Sequence, residues 1–244
     1  MPVAWITGGA RRLGKSIALS LAERGFDVCF TYNTSVAPAA RIRTQIEALG
    51  RKAYAEKCDV SNPVLLVETL ERFATHFGIA DVIVSNAGIF PHPLPIAEST
   101  EEELQHALAV NTIPLLTIAR TYYRMCSVHA VTGRIVSIGS LGSTEVWKDR
   151  LAYNVSKAAL ATLAKGLARQ LAPTIAVNVV APGAISIPDD VTENDSGLAS
   201  VNRIPMGRYG TAEDVSDAVW YFATCSSYIT GQTITVDGGY GLVR

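Results

Sequence analysis

Cysteine is scarce. The four in this chain of 244 residues, Cys29, Cys58, Cys126 and Cys225, are widely scattered, and none forms a C-x-x-C pair. This argues against a disulfide framework and a thiolate zinc site, and predicts buried, reduced thiols. Histidine is equally sparse. His76, His92, His106 and His129 show no H-E-x-x-H or related ligand spacing, so no metal site is expected. Charge of one sign is lacking too. The formal net charge is -1, which leaves no electrostatic footprint for nucleic acid or an anionic membrane. No apolar run approaches the ~20 residues of a membrane span. The opening Met-Pro-Val-Ala-Trp-Ile-Thr reaches Gly8-Gly9 too soon for a signal peptide. The expected location is therefore the cytoplasm. Nor is there a linker, repeat or low-complexity stretch. The chain is 48% hydrophobic and 18% charged, enough apolar content for a sizeable core and too much for disorder.

What is present is alternation. Short apolar runs read as strands at Val3 to Thr7, Asp27 to Tyr32, Lys52 to Cys58, Asp81 to Val84, Arg134 to Ile138, Ala176 to Val180 and Thr233 to Val236. Helical spacing lies between them. Leu13, Ile17 and Leu21 mark one face of a first helix ended by Gly25. Ala39 to Leu49 follows, with Gly50 as its stop. Pro63 to Phe77 is capped by Ser61 or Asn62. Ala152 to Leu171 is long, and Ala212 to Ala223 is the last. Strands alternating with helices need crossover connections. The predicted fold is a single α/β domain over 1–244: a Rossmann-type, doubly wound, mostly parallel seven-stranded sheet with helices on both faces. Pro91 to Ser99 and Pro182 to about Ser200 are loop-like. The second suits a substrate loop, extending over roughly 182–205, that lies across a pocket.

Between the first strand and the first helix stands Thr7-Gly8-Gly9-Ala10-Arg11-Arg12-Leu13-Gly14. A dinucleotide pyrophosphate rests at this place in such folds, on the helix N-terminus, with glycines admitting the backbone. An NAD enzyme tends to end its second strand with an acid that accepts from the ribose hydroxyls. Here Thr31-Tyr32-Asn33-Thr34-Ser35 has none, so nothing repels a 2′-phosphate, and an arginine fork from Arg11 suits one. NADPH is the expected cofactor.

Tyr153 and Lys157 sit at i and i+4 near the start of the long helix, on one face. An ammonium there favours the phenolate, whose unperturbed pKa is ~10, and so brings proton transfer nearer neutral pH. Ser140 follows the fifth strand, and groups at the carboxyl ends of parallel strands line the ligand crevice. Ser140 can then donate to the carbonyl oxygen that Tyr153 protonates.

Together these residues resemble the short-chain dehydrogenase/reductase family over almost the whole chain. The loop matches T-G-x-x-x-G-x-G with Arg12 in place of the middle glycine, a variant similar to bacterial pteridine reductases. Asp59, Asn86-Ala87-Gly88, Asn111 and Pro182-Gly183 fall in the family's order. Ser85 replaces the first Asn of N-N-A-G, and Ser186 is the nearest match to a later threonine.

The resemblance implies a tetrad of Asn111, Ser140, Tyr153 and Lys157, with Asn111 in the fourth helix holding a water that links Lys157 to solvent. It implies NADP(H) contacts from Gly8, Arg11, Arg12, Leu13, Gly14, Tyr32, Asn33 and Thr34. Asp59 and Val60 would meet adenine. Asn86, Ala87 and Gly88 belong to the same set. Tyr153 and Lys157 would also face the nicotinamide ribose, and Pro182, Gly183 and Ile185 the nicotinamide. The implied activity is hydride transfer to a small-molecule carbonyl substrate, with 3-oxoacyl thioesters as one candidate and pterins as the alternative. Pteridine reductases commonly place Asp where Ser140 stands, which tips the reading to plain carbonyls. A non-enzymatic dinucleotide-binding protein would be expected to lack a tetrad member, and none is lost. The implied assembly is a homotetramer.

Overall fold

Along β1 (Val3–Ile6) the pleat sends Val3 and Trp5 to one side and Ala4 and Ile6 to the other. All four are buried, so this strand is covered on both faces. The same division recurs in β4 (Val82–Ser85), β5 (Gly133–Ile138) and β6 (Ile175–Pro182). It is the signature of a sheet buried between two helical layers. The computed structural model describes residues 1–187 and 200–242.

The remaining strands are β2 (Asp27–Tyr32), β3 (Ala53–Lys57) and β7 (Thr233–Val236). The order is β3-β2-β1-β4-β5-β6-β7, and all six pairings are parallel. This is the predicted α/β architecture. On one face pack α3 (Pro63–Phe77), α5 (Ile113–His129) and α6 (Leu151–Leu171), around Trp5, Phe73 and Tyr122. The other face holds α1 (Arg12–Glu23), α2 (Val36–Ala48) and α7 (Ala212–Thr224), around Ile17, Ile46 and Phe222. The seventh helix, α4 (Glu101–Asn111), begins on a Thr100 cap and packs against α5 and α6.

Several expected boundaries move. Asn62, not Ser61, caps α3, accepting from the Val64 and Leu65 amides. The sixth strand runs to Pro182 because its carboxyl half finds β7 as a partner, pairing Ala181 with Thr235 and Pro182 with Val236. All four cysteines are free thiols, but Cys225 is only half-buried, against the expectation that every one is interior.

Candidate active site

The strand order reverses between β1 and β4, and the crevice outside the carboxyl ends of those strands is where this architecture binds ligands. Two segments meet there. Thr7, after β1, accepts at Oγ1 from the Asn86 and Ala87 amides, both at 3.0 Å. Asn86 Nδ2 returns hydrogen bonds to the carbonyls of Thr7 (2.9 Å) and Gly8 (3.0 Å). The Gly8 amide donates to Thr31 Oγ1 at 3.0 Å. The glycine loop is thereby held from both neighbouring strands. Gly14 has no room for a side chain: a Cβ would fall on the Gly8 carbonyl oxygen and lie 2.7 Å from Asn86 Nδ2.

Arg12, where the family pattern has glycine, adopts φ +50. That left-handed backbone is why glycine suits the position. Arg11 is extended and leaves α1 with no side-chain cap and no acid in its first turn. Those first amides and the helix dipole are suited to an anion. Tyr32 packs half-buried against the core, while Asn33 and Thr34 are exposed just beyond β2. Asp59 is exposed and accepts from the amide and hydroxyl of Ser61. Val60 points into the core, so what it offers a ligand is backbone.

The second half of the site lies after β5. Ser140 caps a 3-10 turn, Leu141–Ser143, accepting at Oγ from the Gly142 amide at 3.0 Å. Its hydroxyl also favours the ionised form of the Tyr153 phenol. Burial raises the Tyr153 phenol above its ordinary range. The Ser140 hydroxyl and the Arg150 charge pull it back. One turn along α6, Lys157 is 5% exposed, and its Nζ donates to the Ile138 carbonyl at 2.9 Å. Nζ is 5.9 Å from the Tyr153 ring centre, and burial lowers the amine to about 8.

Asn111 ends α4 at the break before α5. Its Oδ1 accepts from the Ile89 amide at 2.7 Å, and its Nδ2 donates to the Ile89 carbonyl (3.0 Å) and Ser156 Oγ (2.9 Å). The side chain thus ties together the segment after β4, α4 and α6. A Cβ built on Gly88 would lie 3.0 Å from Asn111 Oδ1 and 3.7 Å from Lys157 Nζ, so both groups converge on that glycine.

Pro182 closes β6, and Gly183 is pressed against Asp237, whose Cβ would be 2.7 Å from an added methyl. Ile185 is buried and bridges to Gly210, while the Ser186 amide donates to the Gly210 carbonyl. Residues 188–199 of the expected substrate loop lie outside the described residues.

Sequence reasoning missed the surroundings of Tyr153. Phe90 meets its ring edge-on at 4.5 Å, and Trp147 stacks on it at 5.9 Å and 13°. Asn154 Nδ2 holds the Trp147 carbonyl at 2.9 Å, and Arg150 lies over Phe90, 4.0 Å from the ring centre. Phe90 and Trp147 come from separate loops without periodicity. Thr7, Thr31 and Ser156 were also overlooked as props. Thr7 was in view, as the first residue of the loop motif.

Comparison with known proteins fits this geometry. A family described as Enoyl-(Acyl carrier protein) reductase matches residues 8–241. The 3-oxoacyl-[acyl-carrier-protein] reductase FabG of Escherichia coli is 33% identical over 246 residues, covering 99% of this chain and 98% of its own. A short chain dehydrogenase from Burkholderia cenocepacia, solved in complex with NADP, has 34% identity and a TM-score of 0.89 over 98% of each chain. The acetoin dehydrogenase of Enterobacter cloacae has 32% identity and a TM-score of 0.89, over 100% of this chain and 96% of its own. The likeness spans nearly the whole sequence and fold: the chain belongs to the short-chain dehydrogenase/reductase family, whose oxidoreductases use a nicotinamide cofactor.

Proposed function

We propose that the chain is an NADPH-dependent carbonyl reductase with Asn111, Ser140, Tyr153 and Lys157 as its catalytic tetrad. The observation that carries this reading is the convergence of Ser140, the Tyr153 ring and a buried Lys157 amine, bonded to the Ile138 carbonyl and 5.9 Å from that ring, at the carboxyl end of β5. The crevice fits the cofactor on its own evidence. The uncapped N-terminus of α1 suits a pyrophosphate. The end of β2, with Tyr32, Asn33 and Thr34, carries no acid to oppose a 2′-phosphate, and Arg11 and Arg12 of the glycine loop supply cations suited to one. Gly8, Leu13, Gly14, Asp59, Val60, Asn86, Ala87, Gly88, Pro182, Gly183 and Ile185 complete the cradle. Bound there, NADPH supplies the hydride.

The chain's own groups handle the oxygen. Ser140 Oγ and the Tyr153 phenol present two hydroxyls to one carbonyl oxygen, orienting it and stabilising the charge that develops. Tyr153 donates its proton, and the Lys157 ammonium stabilises the tyrosinate left behind. Asn111, whose side-chain amide is occupied by Ile89 and Ser156, keeps α4 and α6 in register. It can offer its main-chain carbonyl to a water serving Lys157. Candidate substrates are 3-oxoacyl thioesters, the class in the name of the Escherichia coli relative, and simple carbonyl compounds such as small diketones. A second reading, pterin reduction, draws on the double-arginine loop and the flat ring stack of Trp147 on Tyr153. We further infer a homotetramer, built on α5, α6 and the β7 edge.

Oxidation of NADPH and of NADH, followed with acetoacetyl thioester, dihydrobiopterin and simple diketones, separates these readings. Turnover with a carbonyl and preference for NADPH are expected. Tyr153→Phe should lower kcat by at least about 10²–10⁴ while NADPH still binds. Undiminished turnover in that variant overturns the assignment.

A further inference from the structure

Tyr153 stands inside a box that the tetrad does not explain. Two loops close over its ring. One follows β4 and carries Phe90 and Pro91; the other runs from the 3-10 turn to α6 and carries Trp147. Arg150, the residue before α6, joins them. Its guanidinium lies 4.0 Å from the Phe90 ring centre, a cation–π distance, and its Nη1 donates to the Pro91 carbonyl. The Leu94 amide donates to the Asp149 carbonyl at 2.8 Å, fastening the same two loops one step further out. Phe90 in turn touches Tyr153 at 4.5 Å and Trp147 at 6.2 Å. Arg150 is thus one ring away from the reacting phenol.

We propose that Arg150 is a positioning residue of the reaction: stacked on Phe90 and bonded to the Pro91 carbonyl, it pins the segment after β4 over α6 and brings a positive charge up to the Tyr153 phenol. The proposal rests on the carbonyl-reductase reading. The groups around the phenol are few. Ser140 faces it from the 3-10 turn, Lys157 from α6, and the uncharged Phe90 and Trp147 from the two loops. Glu145, Lys148 and Asp149 share the loop of Trp147, and beside the Lys157 ammonium on α6, Arg150 adds a second positive charge that favours the ionised phenol. Burial also lowers the Arg150 guanidinium itself, and the phenol opposes that lowering. A poorly solvated cation against an aromatic face acts on its neighbours more strongly than one in bulk water.

Two variants separate the charge from the pinning. Arg150→Met removes both. Arg150→Gln keeps an amide that can donate to the Pro91 carbonyl but carries no charge. In reduction Tyr153 acts as an acid, so activity falls as pH rises through its ionisation. Without the cation that alkaline limb should move up, by roughly one pH unit, in both variants. KM for the carbonyl substrate should rise mainly in Arg150→Met. The second readout needs no turnover. Ultraviolet titration of tyrosinate in the cofactor-free protein, with Tyr153→Phe subtracted in each background, should show the same upward move. A wild type without activity on any carbonyl fails the carbonyl-reductase reading, while this titration still decides the role of Arg150. If Arg150→Met does not fold, Arg150→Gln gives the answer by the same two measurements. Unmoved titration and an unmoved limb in a folded variant overturn the proposal.

Discussion

A primary amine buried away from water, with one carbonyl to accept from it, is costly to charge. Burial holds Lys157 at about 8 in place of 10.5, a difference that amounts to about 3 kcal/mol when the charged form is carried into the fold. The linkage has a definite sign. Below about pH 8 both folded and unfolded chains are protonated at this site, and the fold bears the cost. Between about 8 and 10.5 the folded state has released its proton while the unfolded state retains it, so stability rises with pH. Replacement by methionine removes the ionisation and loses one hydrogen bond to the Ile138 carbonyl, which costs about 1 kcal/mol. Cofactor-free Lys157→Met should therefore match or exceed the wild type in urea unfolding at about pH 7, and lose that advantage at about pH 9.5. It should also turn over far more slowly, since it loses the ammonium that the proposed mechanism sets against the tyrosinate. A variant less stable than wild type by several kcal/mol at neutral pH would mean that the amine is not buried as described.

At the scale of elements, the crevice depends on how closely β1, α1 and β4 approach one another. Gly14 is where they touch, since any Cβ there collides with the Gly8 backbone and crowds Asn86. Gly14→Ala should cost about 1–3 kcal/mol, the usual range for overpacking. It should also weaken NADPH binding by displacing the loop. Thermal unfolding and calorimetric titration measure the two effects separately, and unchanged affinity would show that the loop does not hold the cofactor. This loop was legible in the sequence because its glycines stand at fixed spacing after a strand. The central strands were legible because two buried faces produce continuous apolar runs, and the outer β3 and β7 because short runs bounded by turn residues still stand out. Two things were not. The helix α5 buries Leu115, Ile118, Tyr122 and Cys126 yet leaves Ile113, Leu116 and Tyr123 exposed, so apolar residues surround it and the helical period is blurred. The box around Tyr153 joins Phe90 to Trp147, which only tertiary folding brings together. Loop side chains carry no period that would announce such a contact.

At the scale of the molecule, α5 and α6 carry apolar surface that a lone chain leaves in water. Ile113, Leu116 and Tyr123 recur at helical spacing along the outer side of α5, and Leu151 and Val155 do so on α6. Gly166 adds a separate argument. It lies eleven residues, about three turns, beyond Val155 on the same helix face, and a Cβ there would meet nothing within 4 Å. A mid-helix glycine costs about 1 kcal/mol relative to alanine, and packing within one chain gives no reason for it. Close approach of a second copy along this face would. At the far end of the sheet, β7 pairs with β6 on one side and is an edge on the other, which natural sheets cover or protect. The proposed homotetramer would bury both surfaces. Light scattering should then give a mass near four times 26.0 kDa. Leu116→Glu combined with Val155→Glu should reduce it to dimers or monomers, because buried like charges at a packed helical face are strongly unfavourable. Because α6 begins at Leu151, two residues before Tyr153, loosening this face should also lower kcat in the dissociated species. A wild type that scatters as a monomer, or a double variant that remains fully assembled, would place the interface elsewhere.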